Sequence, residues 1–211
     1  MGLGFLWSEL LNIPRAEFIP SLTIGLVSWQ LISGCITEAP NLFVQNARLI
    51  RNMRVPHFIF VVQLLLRQLI NFMHNLVVVI FIVAIYPQYL SFAALLFVPG
   101  LALSLAALAG LITIIAFAGT RYRDVGPLIQ SFMPLLFFLT PVIYRPHQLS
   151  SISYLAWWNP LTYLIGLIRD PVLGEWPDQI TVVVTCGLVT VTTVVASWTY
   201  CRNKNRLAFW I

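Results

Sequence analysis

The chain has 211 residues, of which 59% are hydrophobic and only 9% charged, with a mean hydropathy of +0.87. A soluble domain carries roughly 25% charged residues, so a water-exposed globule is excluded. The net charge of +5 comes from 12 basic and 7 acidic residues; in so apolar a chain these set membrane topology, and nucleic acid is not expected as a partner.

Uncharged runs cover 18–37, 68–120, 125–144, 146–168 and 179–201. A bilayer core about 30 Å thick needs about 20 helical residues, so each run is membrane-sized. Length and flanking residues predict five spans, at about Phe18–Thr37, His57–Tyr86, Leu90–Ala118, Val125–Tyr144 and Ile180–Tyr200. The fold class is therefore an all-α integral membrane bundle.

Between the first two spans, Asn41–Arg54 reads as a surface helix. Asn41, Gln45, Arg48 and Asn52 align at i, i+4, i+7 and i+11, and Phe43, Ala47, Ile50 and Met53 or Arg54 fall on another face. Two uses fit equally: a mixed basic and apolar face for a cytoplasmic partner, or a basic loop held by lipid head groups.

The second span carries Gln63, Arg67, Asn71, His74 and Asn75 within about 120° of arc at 100° per residue. An ionisable residue in a span costs about 2.5–3.5 kcal/mol, so Arg67 is expected to face protein or a wet cavity. The stripe reads either as a hydrated lining for a polar substrate or as hydrogen bonding to a neighbouring helix or subunit.

In the third span Pro99-Gly100 predicts a kink or a short lead-in segment. Ala102, Ala106 and Gly110 recur every four residues and predict close helix packing. The turn Gly119–Val125 places Arg121, Arg123 and Asp124 at the head-group level. Asp124 is expected to cap the following helix, and the arginines suit a phosphate-bearing lipid.

The 146–168 run differs from the others. Its Pro and polar residues would strand backbone groups in lipid, so 146–179 is read as a pair of short re-entrant or interfacial helices on the outer side. Tyr144, Tyr154, Trp157, Trp158, Tyr163 and Trp176 gather there, as an aromatic belt or a surface for sugar rings.

Orientation follows from the basic residues. One side receives Arg48, Arg51, Arg54, Arg121, Arg123, Arg202, Lys204 and Arg206; the other receives Arg15, Arg145 and Arg169. The first set marks the cytoplasm. Cys35, Cys186 and Cys201 show neither a disulfide framework nor metal-ligand spacing, and the acidic residues fall outside the spans. Neither a proton relay nor a hydrolytic centre is expected, and energy would come from a partner.

Three segments taken together resemble the membrane subunit of type-2 ATP-binding-cassette exporters of polysaccharide, such as O-antigen, capsule and teichoic acid permeases. They are Asn46-Ala-Arg-Leu-Ile-Arg-Asn-Met-Arg-Val-Pro56, the run from Gly119-Thr-Arg-Tyr-Arg-Asp-Val125 through Thr140-Pro-Val-Ile-Tyr144, and Trp157-Trp-Asn-Pro-Leu-Thr-Tyr through Arg169-Asp-Pro-Val-Leu-Gly174. The resemblance spans about residues 18–200. It implies six membrane helices, a coupling helix, outer gate helices, a second copy of the permease, and a cytoplasmic ATPase subunit that binds ATP and Mg, with no cofactor held by this chain.

The resemblance implies roles segment by segment. Arg48, Leu49, Ile50, Arg51 and Arg54 would contact the ATPase. Arg121, Arg123 and Asp124 would stand at the substrate entrance, and Trp157, Trp158, Asn159, Pro160 and Arg169 would form the outer gate. Gln63, Arg67, Asn71 and His74 remain the candidate channel face. The first family helix is absent, so 1–211 reads as a single permease domain truncated at its N-terminus. The expected function is export of lipid-linked polysaccharide across the bacterial inner membrane; the alternatives are export of small hydrophobic drugs or lipids, and an inactive membrane anchor.

Overall fold

The computed structural model describes residues 14–53, 55–86, 89, 91–143 and 158–211, and these are helices and turns with no strand among them. In chain order the helices are α1 (Arg15–Glu38), α2 (Leu42–Gln45), α3 (Ala47–Asn52), α4 (Phe58–Ile85), α5 (Phe97–Arg121), α6 (Val125–Leu139), α7 (Pro160–Val172), α8 (Gln179–Asn203) and α9 (Leu207–Trp210). Four stretches, Phe18–Gln45, Phe58–Ile85, Phe92–Arg121 and Gln179–Asn203, are long and apolar enough to cross a membrane. They correspond to the first, second, third and fifth expected spans.

The expected fourth span is shorter than its uncharged run. α6 ends at Leu139 after 15 residues, a rise of about 22 Å against a core of about 30 Å. Thr140 leaves the helix in extended conformation, because Pro141 disfavours α geometry in the residue before it.

The surface helix expected over Asn41–Arg54 is broken into pieces. α1 runs into a 3₁₀ turn at Ala39–Asn41, where Pro40 takes an early helical position, and α2 and α3 follow with a break at Asn46. The Asn46 amide Nδ2 donates to the Leu42 carbonyl at 2.8 Å; this side-chain bond competes with the helical pattern and stabilises the break. α3 ends at Met53, which is extended.

α5 stands at the centre, packed against α8, α7, α1 and the Ala39–Asn41 turn. It is entered through a 3₁₀ segment, Phe92–Leu96, whose Ser91 hydroxyl accepts from the Ala93 N–H. This is the lead-in read from Pro99-Gly100, and Pro99 lies in the first turn of α5, where a missing N–H costs nothing. A Cβ at Gly110 would come within 2.7 Å of Thr192 in α8, and one at Gly119 within 2.5 Å of Pro40. Both contacts need hydrogen in place of a side chain.

The small-residue ladder is corrected on this point. Only Gly110 of the three is buried, and Ala102 and Ala106 are exposed. The buried face runs instead through Gly100, Ser104, Ala107, Leu108, Ile112 and Ala116, about half a turn around the helix. Outward, α4 and α8 present Ile70, Val77, Phe81, Val183, Val191 and Val194, an apolar girdle suited to lipid and unsuited to water.

Candidate functional site

At the end that the basic residues mark as cytoplasmic, α2 and α3 lie as a rim across the bundle. Phe43 is fully buried, with its ring edge-on to Phe117 at 5.0 Å and to His57 at 6.4 Å. Ile50 is also buried. These two anchors turn Gln45, Arg48, Leu49, Arg51, Asn52 and Met53 outward. Leu49 and Met53 are about half exposed, at 48% and 55%, so the outer face mixes cations with apolar side chains. Ile50, expected among the partner contacts, instead holds the rim to the core, and Arg54 lies outside the described residues.

α9 braces the rim. Leu207 is fully buried, and Arg51 donates to the main-chain oxygen of Ile211. The Arg121 guanidinium lies over the rings of Tyr122 and Trp210, at 5.3 and 5.4 Å. Arg121 is thus tied to the tail as well as to the turn, while Arg123 and Asp124 are exposed. The cap expected from Asp124 is not made: its backbone is helical (φ −77°, ψ −13°) and its side chain accepts no capping hydrogen bond. A capping side chain needs extended backbone to swing over the first free N–H groups.

Along the bundle, Gln63, Arg67, Asn71 and His74 all project from the exposed face of α4. With Ile59, Val62, Leu66 and Ile70, the first three border an open recess of about 390 Å³. Arg67 forms an ion pair with Glu38, whose other oxygen accepts from Gln68 Nε2 at 2.8 Å. Asn75 Nδ2 donates to Gln30 Oε1 at 3.0 Å.

Sequence reasoning placed all carboxylates outside the spans and so missed Glu38, which is the last residue of α1. The signal was present: Gln30, Gly34 and Glu38 repeat every four residues and form one polar face. Gly34 leaves room for Gln68, since a Cβ there would come within 2.6 Å of its amide oxygen. The charge in the span therefore meets a carboxylate on a neighbouring helix, which offsets its insertion cost.

At the outer end α7 is inserted among α1, α5 and α8, and Leu161–Arg169 is buried throughout. It is the one helix of the expected re-entrant pair within the described residues. Asn159 caps it: Oδ1 accepts from the Leu161 N–H at 3.0 Å while Nδ2 donates to Thr140 Oγ1 at 2.7 Å. Pro160 follows at the first helical position, where a fixed φ favours helix initiation.

Arg169, 4% exposed, donates from Nη1 to the Pro141 carbonyl at 2.9 Å and from Nε to Asp170 at 3.5 Å. Asn159 and Arg169 therefore clamp the turn after α6 and face inward. Trp158 and Trp176 are exposed, at 85% and 71%, whereas Tyr163 is buried in the core. Tyr144, Tyr154 and Trp157 lie outside the described residues. Among those described, no group of three or more His, Cys, Asp or Glu residues is placed to hold a metal ion.

The described residues thus form a bundle of apolar helices with a basic rim, a polar stripe and a short helix at the opposite end from the rim. Residues 2–173 match the ABC-2 type transporter family, and the chain belongs to that family. It is similar to two O-antigen export system permease proteins RfbA of Klebsiella pneumoniae. One is 22% identical over 186 residues, covering 80% of this chain and 72% of the relative. The other is 21% identical over 168 residues, covering 79% of this chain and 65% of the relative. The chain is accordingly a multi-pass inner-membrane protein, and its family implies an ATPase partner.

Proposed function

We propose that this chain is the membrane-spanning permease subunit of an ATP-driven exporter of lipid-linked polysaccharide, of the O-antigen or capsule type, across the bacterial inner membrane. The observation that carries the mechanism is the joining of rim and stripe through α1. The rim follows directly from the end of α1 at Glu38, and Glu38 holds Arg67 of the stripe. A force applied to the rim by a cytoplasmic ATPase has a short covalent path to the polar face, through the break at Asn46 and the Ala39–Asn41 turn. The export of O-antigen by the two similar permeases supports the choice of cargo.

In this reading Arg48, Leu49 and Arg51 meet the ATPase, which binds ATP and Mg and supplies the energy, and the permease itself is non-catalytic. Arg123, with Asp124 beside it, stands where an anionic lipid carrier enters. Gln63, Arg67, Asn71 and His74 offer hydrogen bonds to a hydroxyl-rich chain. Trp158 supplies the aromatic face at the outer mouth. A second copy completes the path: α6 is too short to match the bilayer alone, a mismatch that oligomerisation relieves.

The test is ATP hydrolysis by the purified permease and ATPase in vesicles. Addition of lipid-linked glycan is expected to stimulate hydrolysis several-fold. Stimulation by small hydrophobic drugs but not by glycan would refute the cargo.

A further inference from the structure

α3 carries Arg48, Leu49 and Arg51, yet its own chain ties it loosely to the bundle. At Asn46 the backbone leaves helical geometry (φ −101°, ψ 16°), and Met53 ends α3 in extended conformation. A push on α3 therefore meets a joint at each end, where part of the displacement is absorbed. Ile50 is its buried anchor. Otherwise α3 packs chiefly on α2, its neighbour in the chain, and on α9, which comes from the far end of the sequence.

α9 is held firmly on its other side. After α8 ends at Asn203, 204–206 turn the chain, and the Arg206 N–H donates to the Asn203 carbonyl at 2.9 Å. Leu207 and Trp210, three residues apart, share a face. Leu207 is fully buried and Trp210 packs against the core, while Phe209 faces outward. α9 also packs on α5, whose last residue, Arg121, lays its guanidinium over the Trp210 ring at 5.4 Å. From the α3 side, Arg51 donates to the main-chain oxygen of Ile211. The short helix thus stands between the rim and the end of α5, with an arginine from each fastened to it.

We propose that α9 is a transmission wedge: displacement of α3 by the ATPase passes through α9 to Arg121, and from there to the turn 122–124 and α6. Trp210 is the positioning residue of this route. Coupling needs a contiguous set of packed groups, and close-packed side chains transmit displacement that a broken helix absorbs. The cation–π contact fastens Arg121 to Trp210 without a carboxylate. The proposal rests on the export reading for the source of the force, whereas the wedge itself is a property of the chain alone.

The test has an arm for each. The full chain in lipid nanodiscs would be spin-labelled through Asn52→Cys on the rim and Arg123→Cys on the turn, with Cys186→Ser and Cys201→Ser leaving only the buried Cys35. Pulsed spin resonance should give a narrow distance peak, lost in Trp210→Ala and in Arg121→Gln and kept in Trp210→Phe, which retains an aromatic face for the guanidinium. A peak unchanged in both Trp210→Ala and Arg121→Gln overturns the proposal, whatever the cargo. With the ATPase, Trp210→Ala should keep capture and basal hydrolysis but lose the stimulation by lipid-linked glycan, and Trp210→Phe should keep all three. Full stimulation in Trp210→Ala overturns the wedge, and so does loss of capture, which would make α9 a docking element. If glycan fails to stimulate the unsubstituted complex, the export reading fails, and the distance arm still decides the wedge.

Discussion

The outer clamp can be dissected at Asn159, because its two side-chain bonds separate chemically. Oδ1 caps α7 through the Leu161 N–H, and Nδ2 reaches across to Thr140 Oγ1. Asn159→Ala removes both. Loss of a cap costs about 1 kcal/mol, and loss of a buried hydrogen bond costs about another 1 kcal/mol. Asn159→Ser keeps a capping oxygen but is too short to reach Thr140, so it should cost about half as much.

At about 2–4 °C per kcal/mol for a chain of this size, Asn159→Ala should lower Tm by about 4–8 °C and Asn159→Ser by about 2–4 °C. Thermal unfolding of the detergent-solubilised chain, followed by tryptophan fluorescence, measures both. Equal shifts for the two variants would refute the division of labour. An unchanged Tm in Asn159→Ala would refute the clamp itself.

Gly110→Val should destabilise the bundle by about 1–3 kcal/mol, because its Cβ meets Thr192 at 2.7 Å and overpacking forces α5 and α8 apart; the same thermal assay reads it. Arg48→Ala/Arg51→Ala should reduce capture of the ATPase in a pull-down several-fold while Tm falls by only about 2–4 °C from the lost Arg51 bond to Ile211, and undiminished capture would remove these arginines from the interface. Glu38→Gln leaves Arg67 without its carboxylate partner, so glycan-stimulated hydrolysis should fall while the ATPase is still captured. Trp158→Ala, at a side chain 85% exposed, should leave Tm unchanged.

Much of the fold was legible because lipid imposes a length and a polarity. Four spans follow from uncharged runs, and the break before Pro141 was hidden only because its residues are uncharged on both sides. Periodicity separated Gln45, Arg48 and Asn52, which are exposed, from Phe43 and Ile50, which are buried, but Met53, expected on the face of Phe43 and Ile50, is exposed with the polar set. It did not reveal the break at Asn46, which is accompanied by one side-chain bond to Leu42.

The partners of the polar stripe were harder to see. Arg67 announced a need for company, but its partner Glu38 lies at the end of another helix, and pairing across helices leaves no mark in the spacing of either one. The same holds for Asn159 and Arg169. The resemblance placed them in the outer gate segment, and the structure adds their bonds to Thr140 and Pro141, which face them inward as a clamp.

The most direct measurement is movement of the cargo itself. Vesicles containing the permease and its ATPase would be loaded on the ATPase-bearing side with fluorescent lipid-linked glycan, and a reagent that quenches only the opposite leaflet would follow its arrival. Transfer that starts on addition of ATP and Mg, and that stops in Arg48→Ala/Arg51→Ala, is the predicted result. An assembled complex that hydrolyses ATP yet leaves the glycan in its original leaflet would contradict the account.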